Sequence, residues 1–454
     1  MKAEFLCGVT GKGVFYMRRR AVKVSLAAYL AAYMAAGVAG PVAGSAQAQD
    51  ADSNALLLAD QTVTAVTPIS DWRAYVEASC GVAVLPGSAP DQLSQRLSFD
   101  VQYDAMFSPG WRAVFSDRLD MNWSAGNDQN NQSNQNSINT IREAYLSWKT
   151  NPDTILDFGR INTRYGVGVG YNPTDYFRAD SVRSVVSVVP DSLRENRQGS
   201  VMLRGQTLWD SGSLTALYSP QLSTQENTSA FNPDWGSTNN QQRWLLAVTQ
   251  KIGPGITPQW LVYKEASSPV QLGFNLTGVL NDATVVYVEW SGGRGASLVQ
   301  QAVSAAPESG DGVFSQRISS GFTYSTAGKW ILTAEAEYNG AGLDNAGWAA
   351  LRHGSPVIYA KYRNWLQGIQ DLPTRSSVLF YGTWQDAFIN HLDLSAMQRI
   401  DLIDGSRLNW LEARYHTARA EFALQWQRNS GSLLSDYGAA LQAQSWQLLL
   451  RYYF

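Results

Sequence analysis

Cysteine is nearly absent. Of the two residues present, Cys7 falls in a segment expected to be removed, leaving Cys80 alone. That excludes a disulfide within the mature chain and a cysteine-bound zinc. Histidine is as scarce: His353, His391 and His416 sit at no metal-ligand spacing, so neither a metal nor another cofactor is expected. His391 and His416 stand near opposite ends of their strands with no nucleophile marked beside them. This argues against a hydrolytic site and against an enzyme. After the N-terminal segment no apolar run reaches the roughly 18 residues that a membrane-spanning helix requires.

Charge is also sparse, at 16% of residues with a formal net charge of −3. Residues 1–48 carry a surplus of five positive charges, so their removal takes the chain from −3 to −8. A chain this acidic is not expected to bind nucleic acid. Aromatics, by contrast, are plentiful, with Trp 16, Tyr 21 and Phe 15, and Gly is 38. Aromatic girdles and glycine-rich turns both suit a transmembrane β-barrel.

The N-terminus reads as an export signal. Arg18, Arg19, Arg20 and Lys23 are a basic opening, residues 24–40 are apolar, and Ala46-Gln47-Ala48 is a small-x-small cleavage site. Cleavage is expected near Ala48, giving a signal peptide over 1–48 and a mature start near Gln49. Residues 49–69 are expected to form a flexible lead-in, and 70–454 one barrel.

Segments of about ten residues then alternate in polarity. Arg96, Ser98, Asp100, Gln102 and Asp104 share one face, opposite Leu97, Phe99, Val101, Tyr103, Ala105 and Phe107. Thr333, Glu335, Glu337 and Asn339 oppose Leu332, Ala334, Ala336 and Tyr338. Successive strand side chains point to opposite faces, so each strand has a wet side and a greasy side. The final WQLLLRYYF, ending on Phe454, resembles the terminal strand by which the barrel-assembly machinery recognises outer-membrane proteins.

Connections alternate in length. Short ones carry Ser108-Pro109-Gly110, Asn151-Pro152-Asp153 and Asp210-Ser211-Gly212, where Pro presets φ and Gly or Asn tolerates positive φ. Long ones run over 125–136, 163–196, 220–240, 295–313, 342–373 and 430–442, with short exceptions near 267–269 and 404–406. The expectation is an all-β, antiparallel transmembrane barrel of about 18 strands (16–18), with short periplasmic turns and long extracellular loops. Its setting is the cell outer membrane, among outer-membrane lipid and lipopolysaccharide.

Inward positions carry both signs: Arg96, Arg112, Arg118, Arg160, Arg204, Arg243, Arg317 and Arg399 with Asp100, Asp104, Asp120, Glu143, Glu335, Glu337 and Asp393. Arginine clustered at a constriction grips carboxylates in bidentate fashion. The same residues equally suit a ladder of ion pairs that stiffens the wall. The loop 163–196 holds Gly166, Gly168 and Gly170 and the apolar stretch 182–189. It is too apolar to stay solvated, and is expected to fold into the barrel and narrow it. In 343–372, Trp348, Tyr359, Tyr362 and Leu366 are partly helix-spaced, which suits a helical cap or strands continued above the membrane.

The stretches REAYLSW (142–148), LDFGRINTRYGVGVGYNPTDYF (156–177) and RENRQGSVMLRGQ (194–206) resemble outer-membrane porins of the alginate-export type and their relatives. The resemblance implies that Arg142, Glu143, Arg160, Asn172, Asp175, Arg197 and Arg204 line the narrow part of a pore. The expected function is a porin-like channel for small polar or anionic solutes, including an anionic saccharide. An outer-membrane enzyme, or a structural barrel without transport, is the alternative.

Overall fold

A computed structural model describes residues 71–87, 90–125, 137–266, 268–304 and 312–454. The expected signal peptide, the lead-in and the polar loop 126–136 lie outside the described residues. The alternating segments form strands in chain order: β1 Trp72–Val84, β2 Gln92–Ser108, β3 Trp111–Ala125, β4 Ser137–Asn151, β5 Thr154–Ile161 and β6 Ser200–Trp209. There follow β7 Gly212–Ser219, β8 Arg243–Gln250, β9 Gln259–Glu265, β10 Gln271–Asn281, β11 Thr284–Gly295 and β12 Val313–Ser325. The last six are β13 Trp330–Asn339, β14 Ser376–Trp384, β15 Leu392–Asp401, β16 Arg407–His416, β17 Ala420–Ser430 and β18 Gln444–Tyr453.

These make one 18-stranded antiparallel sheet in which β1 pairs with both β2 and β18. The sheet is therefore a closed barrel with no free edge. Every strand satisfies its backbone hydrogen bonds through its two neighbours, which is what lets strands face hydrocarbon. The outer side is apolar: Phe99, Phe158, Leu203, Leu246, Val262, Phe322, Leu332, Phe380, Leu424 and Leu448 are all exposed. Tryptophans concentrate at the two ends of the strands. Trp111 and Trp148 stack at 5.4 Å near one rim, as Trp330 and Trp384 do at 4.7 Å, while Trp426 and Trp446 pair near the other.

The rims differ as the turn chemistry required. At one end the connections are short, among them 109–110, 152–153, 210–211 and 282–283. Gly110 there adopts φ 79°, the left-handed position that follows Pro109 in a type II turn. At the other end lie 162–199, 220–242, 296–312, 340–375 and 431–443, with three short exceptions at 85–91, 266–270 and 402–406. The stretch read as a cap or as continued strands is helical: α4 Asn345–His353 and α5 Pro356–Ile369. They enclose Trp348, Tyr362 and Leu366 together with Leu298 of α3 Leu298–Val303. Two shorter helices, α1 Pro190–Glu195 and α2 Trp235–Thr238, lie within the loops 162–199 and 220–242.

The interior departs from a uniformly wet lumen. Ile161, Met202, Leu217, Leu245 and Leu261 face inward on β5 to β9 and are buried against Phe177, Tyr165 and Tyr176. A second inward apolar patch, Leu379, Met397, Leu408 and Trp410 on β14 to β16, receives Val169, Val188 and Val189. Alternation reports which residues face inward. It does not report that a loop will cover the apolar ones.

Candidate functional site: a lumen crossed by loop 162–199

The chain leaving β5 enters the barrel instead of standing above it. Its glycine turn meets two wall carboxylates. Glu289 on β11 accepts Val167 N at 2.8 Å and Gly168 N at 3.0 Å on one oxygen, and Thr174 N at 2.6 Å and Thr174 Oγ1 at 2.9 Å on the other. Glu335 on β13 accepts Val169 N at 2.6 Å and Tyr287 Oη at 2.7 Å on one oxygen. Its other oxygen accepts Gly170 N at 3.1 Å and Tyr171 N at 2.8 Å. Hydrogen bonds to a charged acceptor contribute about 1.5–3 kcal/mol each, so the turn is firmly held. The glycines are sterically required. A Cβ at Gly168 would lie 2.2 Å from Tyr171 O, and one at Gly166, whose φ is +99°, would lie 2.7 Å from the Glu289 carboxylate.

Beyond this turn the loop meets the connection 340–375 at Asp371. That carboxylate accepts Tyr171 Oη at 2.7 Å and Arg317 Nε at 3.1 Å, and has Arg178 at 3.4 Å. Burial alone would raise the Asp371 carboxyl; Arg317 and Arg178 outweigh it and hold it below the usual aspartate range. Burial pushes Asp180 up to about 6, helped by Glu226 against the opposing pull of Arg243. Asp436, in 431–443, is also raised to about 6 by burial, against Arg363 and with Asp401 and Asp404 adding to the rise.

Two cavities flank α1. The outer one, of about 260 Å³, is lined by Arg178, Arg194, Arg197, Arg363 and Arg399 against only Asp371 and Asp436. Gly170, Tyr171 and Asn172 form part of its wall. Arg194 reaches Tyr165 O at 3.2 Å and has no carboxylate at ion-pair distance among the described residues. The inner cavity, of about 140 Å³, is lined by Asp71, Asp104, Glu143 and Glu195 with Arg73, Arg142 and Arg164.

The residues singled out in the sequence distribute over four environments. Asn172 and Arg197 line the outer cavity, with Asp175 buried behind Arg197 as its ion-pair partner. Arg142 and Glu143 line the inner cavity. They are consecutive, yet both reach the interior because a register shift sets Ser116 opposite Glu143 and Asp117 opposite Ile141, a bulge that the strand period alone did not reveal. Arg96, Asp100 and Arg118 point inward but are buried in a wall network: Arg96 and Arg118 pair with Glu77 at 2.7 and 2.8 Å, and Asp100 pairs with Arg142 at 2.6 Å. Arg204 pairs with Asp157 at 2.7 Å and Arg317 with Asp371. Arg160 donates to Pro233 O at 2.6 Å beneath the Trp235 ring, and Arg243 donates to Thr238 O beside Phe177. Both therefore pin the loop 220–242.

Sequence reading missed Glu289 and passed over Arg178, Arg194 and Arg363 as pore residues. The arginines carried a signal in that they crowd the long loops. The two histidines do stand at opposite ends of their strands, and antiparallel pairing of β15 with β16 thereby makes them neighbours, with His416 N at 2.9 Å from His391 O. The His416 ring lies 3.2 Å from Asp393 and 3.6 Å from Glu421.

No family model matches the sequence, and no curated protein matches it. Solved structures do. OccK5 (OpdH) of Pseudomonas aeruginosa is 8% identical with a TM-score of 0.51, over 85% of this chain and 98% of that one. OccK2 (OpdF) of the same organism, determined in complex with glucuronate, is 10% identical with a TM-score of 0.51, over 85% and 98%. The Pseudomonas aeruginosa outer membrane protein opdK is 9% identical with a TM-score of 0.50, over 85% and 99%. At these identities the likeness is one of fold: the chain is a closed 18-stranded antiparallel β-barrel similar to those porin structures.

Proposed function

We propose that this chain is an outer-membrane channel for small anionic solutes, carboxylates and acidic monosaccharides above all. One observation carries the reading. Inside a closed barrel, the loop that crosses the lumen builds a cavity of about 260 Å³ lined by five arginines; four are paired with Asp371, Asp175, Asp436 and Glu337, and Arg194 has no carboxylate at ion-pair distance among the described residues. Such a cavity concentrates anions, and a planar guanidinium suits a planar carboxylate. Its volume suits a single sugar acid and not a polysaccharide chain. That favours a monomeric uronate over the polymer implied by the alginate-type motifs, and glucuronate is the ligand found with OccK2.

In this reading the short turns are periplasmic, the long loops extracellular and the Trp-rich rims interfacial. The strand ending at Phe454 is the assembly signal, lipopolysaccharide surrounds the outer rim, and the export signal is cleaved near Ala48. The test is electrical. Folded protein in a planar bilayer should give discrete steps, chloride preference in a KCl gradient, and block by glucuronate at concentrations where glucose does not block. Equal block by the two sugars would remove the carboxylate reading. N-terminal sequencing of the membrane-extracted protein should begin near Gln49.

A further inference from the structure

We propose that Glu289 and Glu335 are positioning residues for selectivity: together they clamp the turn 167–174 in the lumen and so set the place of the arginine-lined cavity. The inference rests on the channel reading and adds to it a part that motif and charge pattern do not mark.

The interior acids differ in their partners. Glu77, Asp100, Asp120, Asp157 and Glu337 each take an arginine at ion-pair distance. Glu289 and Glu335 take no arginine or lysine among the described residues, although both are buried. Each instead has both oxygens occupied by two donors, and the loop backbone supplies most of them. A buried carboxylate without a cation is costly unless its lone pairs are filled, and here the loop fills them. Wall and loop therefore depend on each other. At Gly168 and Gly170 a Cβ would clash, so these two residues are held through their backbone amides, which the two carboxylates accept. Thr174 Oγ1, Tyr171 Oη and Val169 add side-chain contacts on either side, but six of the eight bonds to Glu289 and Glu335 come from the backbone of the turn.

The consequence reaches the site directly. Gly170 and Tyr171, whose amides Glu335 holds, are wall residues of the outer cavity. Tyr171 in turn bonds Asp371, to which Arg178 is paired. Release of the turn would free one wall of the cavity and displace Arg178 from its place opposite the other arginines.

The test uses the full-length barrel in three forms: the parent, Glu289→Gln with Glu335→Gln, and Gly168→Ala. Glutamine keeps size but turns an NH2 donor onto two donors, so half of each clamp is lost. The alanine leaves both carboxylates intact and dislodges the turn through its clash with Tyr171 O. Two measurements are made. Amide hydrogen exchange in detergent should show 167–171 protected in the parent and unprotected in both variants, with strand amides unchanged. Bilayer recordings should show the conductance step rising by about twofold and chloride preference falling towards none, since a channel's selectivity follows its lining charges. Parent-like exchange and selectivity in both variants would overturn the proposal. A parent that does not conduct, but whose 167–171 protection is lost in the variants, would leave the clamp standing and remove the channel function. If the double variant fails to fold, Gly168→Ala decides alone by the same two measurements.

Discussion

Glu77 on the first strand and Arg451 on the last meet across the seam where the barrel closes, with Arg451 Nη2 at 2.8 Å from Glu77 Oε2. The other Glu77 oxygen takes Arg96 at 2.7 Å and Arg118 at 2.8 Å. One buried carboxylate thus bridges three guanidiniums from strands at both ends of the chain, while Asp100, Asp120 and Glu421 supply the remaining negative charge.

Removing that hub should cost more than a surface ion pair. Glu77→Ala leaves Arg96, Arg118 and Arg451 to share Asp120, Asp100 and Glu421, so the cost falls short of the roughly 3–5 kcal/mol of a fully unpaired buried charge but exceeds that of an exposed pair. Urea or heat unfolding, followed by the mobility shift of folded against unfolded barrel on gels, should show a lower midpoint for this variant. Replacing exposed Lys329, paired with Asp386 at the turn rim, should leave the midpoint nearly unchanged.

The arginines divide by partner, so their substitutions should divide as well. Arg194→Ala removes a guanidinium with no carboxylate partner. The concentration of glucuronate needed to block should rise about threefold to tenfold, tenfold being about 1.4 kcal/mol. Arg160→Ala, which loses only Pro233 O and the Trp235 ring, should leave reversal potential unchanged while raising exchange in 220–242. A selectivity loss in Arg160→Ala as large as in Arg194→Ala would mean that the lining is misassigned.

Acidity should strengthen the anion preference. Asp436 lines the outer cavity and ionises near pH 6, raised by burial. Between pH 7 and pH 5 it becomes neutral, so the cavity gains positive charge and chloride preference rises. A carboxyl with a raised pKa supplies its stabilisation below the ordinary aspartate value and loses it as pH climbs through about 6. The loop 431–443 should therefore exchange more slowly at pH 5 than at pH 7, after correction for intrinsic rates. Asp436→Asn should flatten the pH dependence of selectivity, and a pH profile identical to the parent's would assign it to another group such as Asp180.

Much of the wall was legible because strand geometry is local. Arg96 to Phe107 alternates, Pro109-Gly110 turns, and Trp446 to Phe454 alternates again; each signal sits within a few residues of what it specifies. The site was legible only in part. Glu335 read as inward, but nothing in its own strand says that it will bind Tyr171, whose amide is 164 residues away in sequence. Met202 and Leu217 break the polar inner face, and their cover, Phe177, comes from a loop. The bulge at Arg142 inverts the parity of its own strand beyond that point. Contacts made across the lumen leave no periodic trace in the chain.

The charge of the path through the barrel decides which ions pass. Refolded protein, shown by gel mobility to be folded, should be inserted in a planar bilayer under a KCl gradient, with glucuronate then added on the long-loop side. Discrete steps, a reversal potential on the chloride side and glucuronate block are the expected result. Folded protein that gives no steps, or steps selective for potassium, would contradict it.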